Sequence, residues 1–244
     1  MTLRLVQKEN DLLDSLHGHD RTRVFEHLEL VDLKLGEVLC EAGQPFTHGY
    51  FPVDSIVSIL YVMRNAESAE IAVIGKDGMV GVAIFMGGTS TSSRAIVQNA
   101  GRAYRLKAEH LQHEFARGGT FQRILLRFAQ ALITQMVQTA ACNRHHSVDQ
   151  QFCRWLLMSL DLLPTNQLKM TQKLIGNMLG INNAGVIAAA SVLQSAGLIE
   201  YADGDVTVLS RPGVIARACE CYGVVKQEHD RLFAAAVVGV GVPA

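Results

Sequence analysis

Cysteine and histidine are the residues of this chain best suited to chemistry, and most of the cysteines lie in its second half. "CNRHHSVDQQFC" brings Cys142, His145, His146 and Cys153 close together in sequence, and thiolate and imidazole are good zinc ligands. The four straddle the end of one helix and the start of the next, and Cys153 falls in a pattern with Trp155 and Leu156 that reads as core. Packing is favoured over a metal there. Cys219 and Cys221 form a C-x-C in what reads as a terminal helix, where two side chains so spaced diverge by about 200°. One thiol is expected in the core and the other at the surface, so no metal and no cofactor is expected. Cys40 stands alone, short of the grouped cysteines that iron–sulfur ligation needs. A redox-sensitive thiol stays open, and the sequence gives no evidence on thiol pKa. Catalysis has less support still. "GKDGMVG" reads as a turn because a βαβ context is missing, and His145-His146 beside Asp149 suits a helix junction better than acid–base work.

The other residues able to recognise a partner lie in "MTQKLIGNMLGINNAGVIAAASVLQSAGLI", from Met170 to Ile199. It reads as helix, tight turn at Gly180, and a second helix opened by Asn182 and Asn183. A second helix so placed is how a helix-turn-helix enters the DNA major groove. This one carries no Arg or Lys from Asn182 to Ala196, and charges between Thr165 and Ser210 (Lys169, Lys173, Glu200, Asp203, Asp205) sum to −1. Bidentate Arg–guanine contact is therefore closed to it, whereas the Asn amide can pair with adenine N6 and N7. Gln172 can join it, and the helix N-terminus offers amides to a phosphate.

These residues need elements to hold them. "SVDQQFCRWLLMSLDLLP" starts a helix with a capping box, Ser147 and Gln150, and ends at Pro164. "LIEYADGDVTVLSRPG" reads as a hairpin turning at Asp203-Gly204. Helix, helix, turn, helix and hairpin make a winged helix-turn-helix. Upstream, "GGTFQRILLRFAQALITQMVQTAACNRHH" follows Gly118 and Gly119, with Thr120 as the expected cap. Leu125, Phe128, Leu132 and Met136 form a stripe at helical spacing, and Ile124, Ala131, Ile133, Val137 and Ala140 widen it. A helix apolar over more than one face is buried against two partners. One is expected to be the preceding domain and the other the same helix of a second copy, met through Leu125, Phe128, Leu132 and Met136. From Val31 to Leu106, short apolar runs broken by turn residues suggest a β barrel or roll, with Gly36, Gly43, Gly75 and Gly78 at corners that favour positive φ. Residues 9 to 29 read as two short helices.

Length and composition agree. At 244 residues the chain accommodates two domains with separate cores. A 49% apolar share with 18% charged residues marks a globular protein. Net charge −1 and pI near 6.7 give no general attraction to nucleic acid or acidic membrane. Five cysteines without framework spacing and an N-terminus without a signal-peptide pattern lead us to expect a reducing cytoplasm. No apolar run reaches the ~18 residues of a membrane span.

In "HHSVDQQFCRWLL", "MTQKLIGNMLG" and "RPGVIARACECYGVVKQEHDRL", and in its order of elements, the chain resembles the Crp/Fnr family of bacterial transcription regulators over about residues 10 to 234. The resemblance implies an α+β fold in four parts. They are a jelly-roll-like sensor β roll with leading helices over 1–117, a central dimerisation helix and hinge over 118–146, a winged helix-turn-helix over 147–234, and an apolar tail over 235–244. It implies a homodimer on a palindromic site in double-stranded DNA, a small-molecule effector, contact with RNA polymerase, and no membrane or enzymatic role. Base-reading positions fall on Asn182, Asn183, Ala184 and Ala188, with Thr171, Gln172 and Lys173 beside them. The effector pocket falls on Gly81, Val82, Phe85, Ser93 and Arg94. Family members that bind cyclic nucleotides have a Glu after the Gly that Gly81 matches, and an Arg where Ser93 stands. Val82 and the one-residue slip of Arg94, which turns its side chain to the other face of a strand, predict that cyclic nucleotides do not bind. A winged helix that docks protein instead of DNA is the alternative.

Overall fold

The computed structural model describes residues 9–65, 67–88, 90–169, 171–202 and 204–234, so the expected apolar tail lies outside the described residues. The two leading helices are present. α1 (Asp11–Asp14) is capped by the buried Asn10, whose side-chain oxygen accepts from the Leu12 and Leu13 amides, and α2 (Gly18–Glu26) follows. Seven strands then form the roll: β1 (Glu29–Leu33), β2 (Val38–Cys40), β3 (His48–Pro52), β4 (Ile56–Val62), β5 (Ser68–Ile74), β6 (Ser93–Asn99) and β7 (Gly101–Lys107). They pair antiparallel in two sheets, β1-β7-β3 and β2-β6-β4-β5. The alternation of a strand with one buried face puts Ala95 and Val97 of β6 inside with Phe51, Val57, Ile74 and Leu106. Gly36 and Gly43 have the positive φ expected of corners, at +78° and +80°. Gly75 and Gly78 do not; they are small because neighbours press in. A Cβ on Gly78 would stand 2.4 Å from a Phe128 ring carbon, and one on Gly75 2.7 Å from Leu162 Cβ.

After α3 (Ala108–Ala116) comes the long helix α4 (Gly119–His145). Thr120 does not cap it. The Thr120 amide instead donates to Asp20 Oδ2 of α2 at 2.9 Å, so a carboxylate from another helix occupies the positive end of α4. The stripe assigned to a partner copy needs correcting as well. Leu125, Phe128 and Leu132 are 0%, 5% and 7% exposed within this one chain and belong to the core of the roll, with Met136 packed against it. The stripe that ends in Leu132 packs on the nearest apolar surface, which is the chain's own. The outward face of α4 carries Leu126, Ile133 and Val137, each half exposed or more.

The second half holds α5 (Val148–Asp161), β8 (Gln167–Lys169), α6 (Gln172–Leu179), α7 (Asn183–Ser195), β9 (Ile199–Ala202), β10 (Asp205–Val208), α8 (Arg211–Arg217) and α9 (Glu220–Ala234). The capping box at Ser147 and Gln150 forms as expected. The wing is three-stranded, in the order β8-β10-β9, one strand more than the hairpin read from sequence. α9 lies along α4, where Gln130 Nε2 donates to Glu228 Oε1 at 3.0 Å. The two halves share a seam. Ile56, Leu60 and Val73 of β4 and β5 join Phe152, Trp155, Leu156 and Ile175 in one apolar cluster.

Candidate nucleic-acid interface and sensor roll

The turn between α6 and α7 is built from two caps and one glycine. Thr171 Oγ1 accepts from the Leu174 amide at 3.3 Å and starts α6. Gly180 ends it in the left-handed region at φ +66°, a conformation glycine adopts at little steric cost. Asn182 Oδ1 then accepts from the Gly185 amide at 2.9 Å and caps α7. The helix buries Val186, Ala189, Ala190 and Leu193. It leaves Asn182, Ala184, Ile187, Ala188, Ser191 and Val192 exposed, and these form the face available to a partner. The side chains of Asn183, Gln172 and Lys173 lie outside the described residues.

Asn182 therefore has a role that its expected one did not include. A bidentate contact with adenine needs both the amide oxygen and the amide nitrogen, and the oxygen already serves the helix cap. Its nitrogen remains a donor at the exposed start of α7. Ile187, 46% exposed beside Ala184 and Ala188, adds apolar surface suited to thymine methyl groups. Sequence reading passed over it because an isoleucine at helical spacing looks like core.

In the roll, Gly81 takes the left-handed conformation at φ +105° and opens a 3₁₀ turn over Val82–Ile84. Phe85 is buried and stacks on Phe115 of α3, ring centroids 4.9 Å apart. Ser93 and Arg94 part company as the strand period requires. Ser93 is buried, whereas Arg94 turns outward and its Nε donates to Glu41 Oε2 at 2.8 Å. The expected pocket residues thus split between the interior and the surface, and Arg94 is withdrawn from the pocket. A cavity of about 220 Å³ lies elsewhere, at the seam between β5, α4, α5 and α9, lined among others by Asp77, Gln135, Tyr222 and His229.

The cysteines depart furthest from expectation. Cys219 sits in the break between α8 and α9, not inside a helix, so the 200° divergence does not apply. Cys219 and Cys221 both turn inward and meet Cys142 in one buried cluster. With His146 they bring four ligand atoms within 4.8 Å of one another. His145 and Cys153 are not in this group, Cys153 being core as read. All five cysteines are free and buried. Burial pushes the Cys142 thiol up to about 12 and Cys153 to about 11, with Cys40 and Cys221 raised by the same cause. A thiol so raised is a weak nucleophile.

Comparison with known proteins agrees with this architecture. The cyclic nucleotide-binding domain profile matches residues 30–117, and the Crp-like helix-turn-helix domain profile matches residues 150–216. No curated protein matches the chain in sequence. Among solved structures, FixK2 from Bradyrhizobium japonicum is 15% identical, with TM-score 0.68 over 79% of this chain and 98% of that one. The c-di-GMP responsive global regulator Clp of Xanthomonas campestris is 14% identical, with TM-score 0.63 over 78% and 98%. A CRP-family transcriptional regulator from Thermus thermophilus is 14% identical, with TM-score 0.64 over 77% and 96%. At such identities the likeness is one of fold. With both domains present in this order over more than half of its length, the chain belongs to the Crp/Fnr family of transcriptional regulators.

Proposed function

We propose that this protein is a dimeric DNA-binding regulator that reads an A·T-rich palindrome with α7 and whose roll does not take a cyclic nucleotide. The observation that carries the reading is the outer face of α7. One side of the helix is locked into the domain core, while Asn182, Ala184, Ile187 and Ala188 face solvent. Amide donors and small apolar side chains contact adenine and the thymine methyl, and none of them makes the bidentate contact that selects guanine. Dimerisation supplies the second half-site. Leu126, Ile133 and Val137 recur at seven and four residues on the outward face of α4, with the exposed Gln130 and Ala140 continuing the alternating steps of four and three. That is the spacing of a coiled-coil seam, and the occupant is a second copy of the same helix.

The roll gives no support to cyclic-nucleotide binding. Val82 offers no acceptor to a ribose hydroxyl, and Arg94 is engaged with Glu41 on the outside, so a buried cyclic phosphate would lack its countercharge. The cytoplasm, RNA polymerase and a small-molecule effector remain expectations of the family.

Selection from a random duplex library tests the reading. Wild type at low salt is expected to enrich one palindrome with A·T at the contacted steps, with an affinity that falls by about 0.9 log units per log unit of salt for each phosphate neutralised. No enrichment by a folded dimer overturns the DNA reading in favour of a protein partner at the exposed Ile187 and Val192.

A further inference from the structure

Four side chains from distant parts of the chain meet where the central helix ends. Cys142 and His146 stand four residues apart near the C-terminal end of α4, hence on one face. Cys219 and Cys221 come from the α8–α9 junction, some 75 residues later in the chain. Cys142 Sγ and Cys219 Sγ are 3.5 Å apart, and Cys221 Sγ is 3.6 Å from His146 Nδ1. All four ligand atoms lie within 4.8 Å of one another. A tetrahedral zinc ion with Zn–S near 2.3 Å and Zn–N near 2.0–2.1 Å sets its ligand atoms about 3.8 Å (S to S) and about 3.6 Å (S to N) apart. The Cys221–His146 contact matches its edge, and the Cys142–Cys219 contact falls within about 0.3 Å of its own. A multi-iron cluster, whose ligands bind separate irons, would hold them farther apart.

We propose that Cys142, His146, Cys219 and Cys221 form a Cys₃His site for one tetrahedral, thiophilic divalent cation such as zinc. The surroundings are those of a closed structural site. The three cysteines are 0%, 5% and 2% exposed, and only the edge of His146 reaches solvent. His146 Nε2 is 3.3 Å from Glu220 Oε2. That contact places the ring proton on Nε2 and leaves the Nδ1 lone pair facing the thiols, the carboxylate–histidine arrangement that orients metal-bound imidazole. Gln151 Nε2 donates to the His146 carbonyl at 2.9 Å and fixes the backbone between the two helices. Loading releases the three thiol protons to solvent and leaves a site of net charge −1. The buried guanidinium of Arg154 donates to Thr139 Oγ1 at 3.2 Å, three residues before Cys142 on α4, so a positive charge stands near the site and partly offsets that negative charge.

The ion would tie the end of α4 to the α8–α9 junction, across the residues 143–147 where a family-type hinge falls. Such a ligand, absent from the unfolded chain as a preformed site, stabilises the fold.

The test is a Co²⁺ titration of the full-length, reduced, metal-stripped protein. The expected result is saturation at one cobalt per chain, with the intense visible d–d bands of tetrahedral cobalt and a thiolate charge-transfer band, both bleached by Zn²⁺. Cys219→Ser, Cys221→Ser and His146→Ala should each weaken Co²⁺ binding at least tenfold. Cys40→Ser and Cys153→Ser should leave the spectrum as it is. Glu220→Gln, a change at an exposed residue, should keep the spectrum and lower the affinity about tenfold or more. A folded wild type without tetrahedral absorption at one equivalent overturns the proposal. So does a spectrum that survives Cys219→Ser, or one lost with Cys40→Ser or Cys153→Ser. Should the cysteine variants fail to fold, the wild-type spectrum and the Glu220→Gln affinity decide.

Discussion

Glu70 of β5 is a carboxyl group buried in the seam between the roll and α5, and replacing it should change how stability depends on pH. It is 7% exposed. Its Oε2 has no hydrogen-bond partner among the described residues, and neither have Arg154 Nε and Trp155 Nε1 across the seam. Ser58, beside it on β4, donates its hydroxyl to Gln98 Oε1 at 2.6 Å. Burial dominates and pushes the Glu70 carboxyl from 4.5 to about 7, against smaller opposing pulls from the Ser58 hydroxyl, the Arg154 charge and the Trp155 indole N–H, which lies near it without a well-formed hydrogen bond. The folded state therefore keeps the proton where the unfolded chain has lost it. Stability from this group is fully present below pH 4.5 and is lost as pH rises through about 7. At about 1.4 kcal/mol per pKa unit, the loss amounts to about 3 kcal/mol. Glu70→Gln is neutral in both states and keeps the shape, so it should unfold at higher denaturant than wild type at pH 8, with the gap shrinking at pH 5 to about a quarter of its pH 8 value. Urea unfolding at several pH values between 5 and 8.5 is the assay. A variant that loses stability at pH 8 relative to pH 5 would show an ionised Glu70 paired with Arg154, and would refute the reasoning.

Ile133→Glu with Val137→Glu should yield a folded monomer by light scattering, because both side chains are outside the core, whereas Leu132→Glu should unfold the roll by placing a charge among Phe128, Leu125 and Met79. Asn182→Ala should cost about 1 kcal/mol of stability through the lost cap on α7, and Asn182→Ser should restore it by urea unfolding while leaving any base contact of the amide unrestored. Gly78→Ala should destabilise by about 1–3 kcal/mol, since its Cβ would meet the Phe128 ring at 2.4 Å; an unchanged melting temperature would show that the ring moves aside. Cyclic AMP and cyclic GMP should give no saturable micromolar heat in calorimetry.

What the sequence made legible was whatever a local period or turn encodes. The roll, the long helix, the capping box at Ser147 and the wing turn at Gly204 each follow from a pattern a few residues long. What stayed hidden depended on which of two apolar surfaces wins a given face. Leu125, Phe128 and Leu132 on one side of the helix and Leu126, Ile133 and Val137 on the other are both apolar, so composition alone does not say which stripe meets the roll and which a partner. The structure gives the first to the covalently attached roll, which is always at hand and needs no association equilibrium. The same gap explains the thiols. The local pattern puts Cys219 and Cys221 on one continuous helix, and the two-residue break before Glu220 removes that premise and turns both inward. The i, i+4 pair of Cys142 and His146 was readable as one helix face, but nothing local says that a segment some 75 residues away closes over it. A side chain's partner across such a distance is set by how α9 returns along α4, and that is a property of the whole fold, not of any window of its sequence.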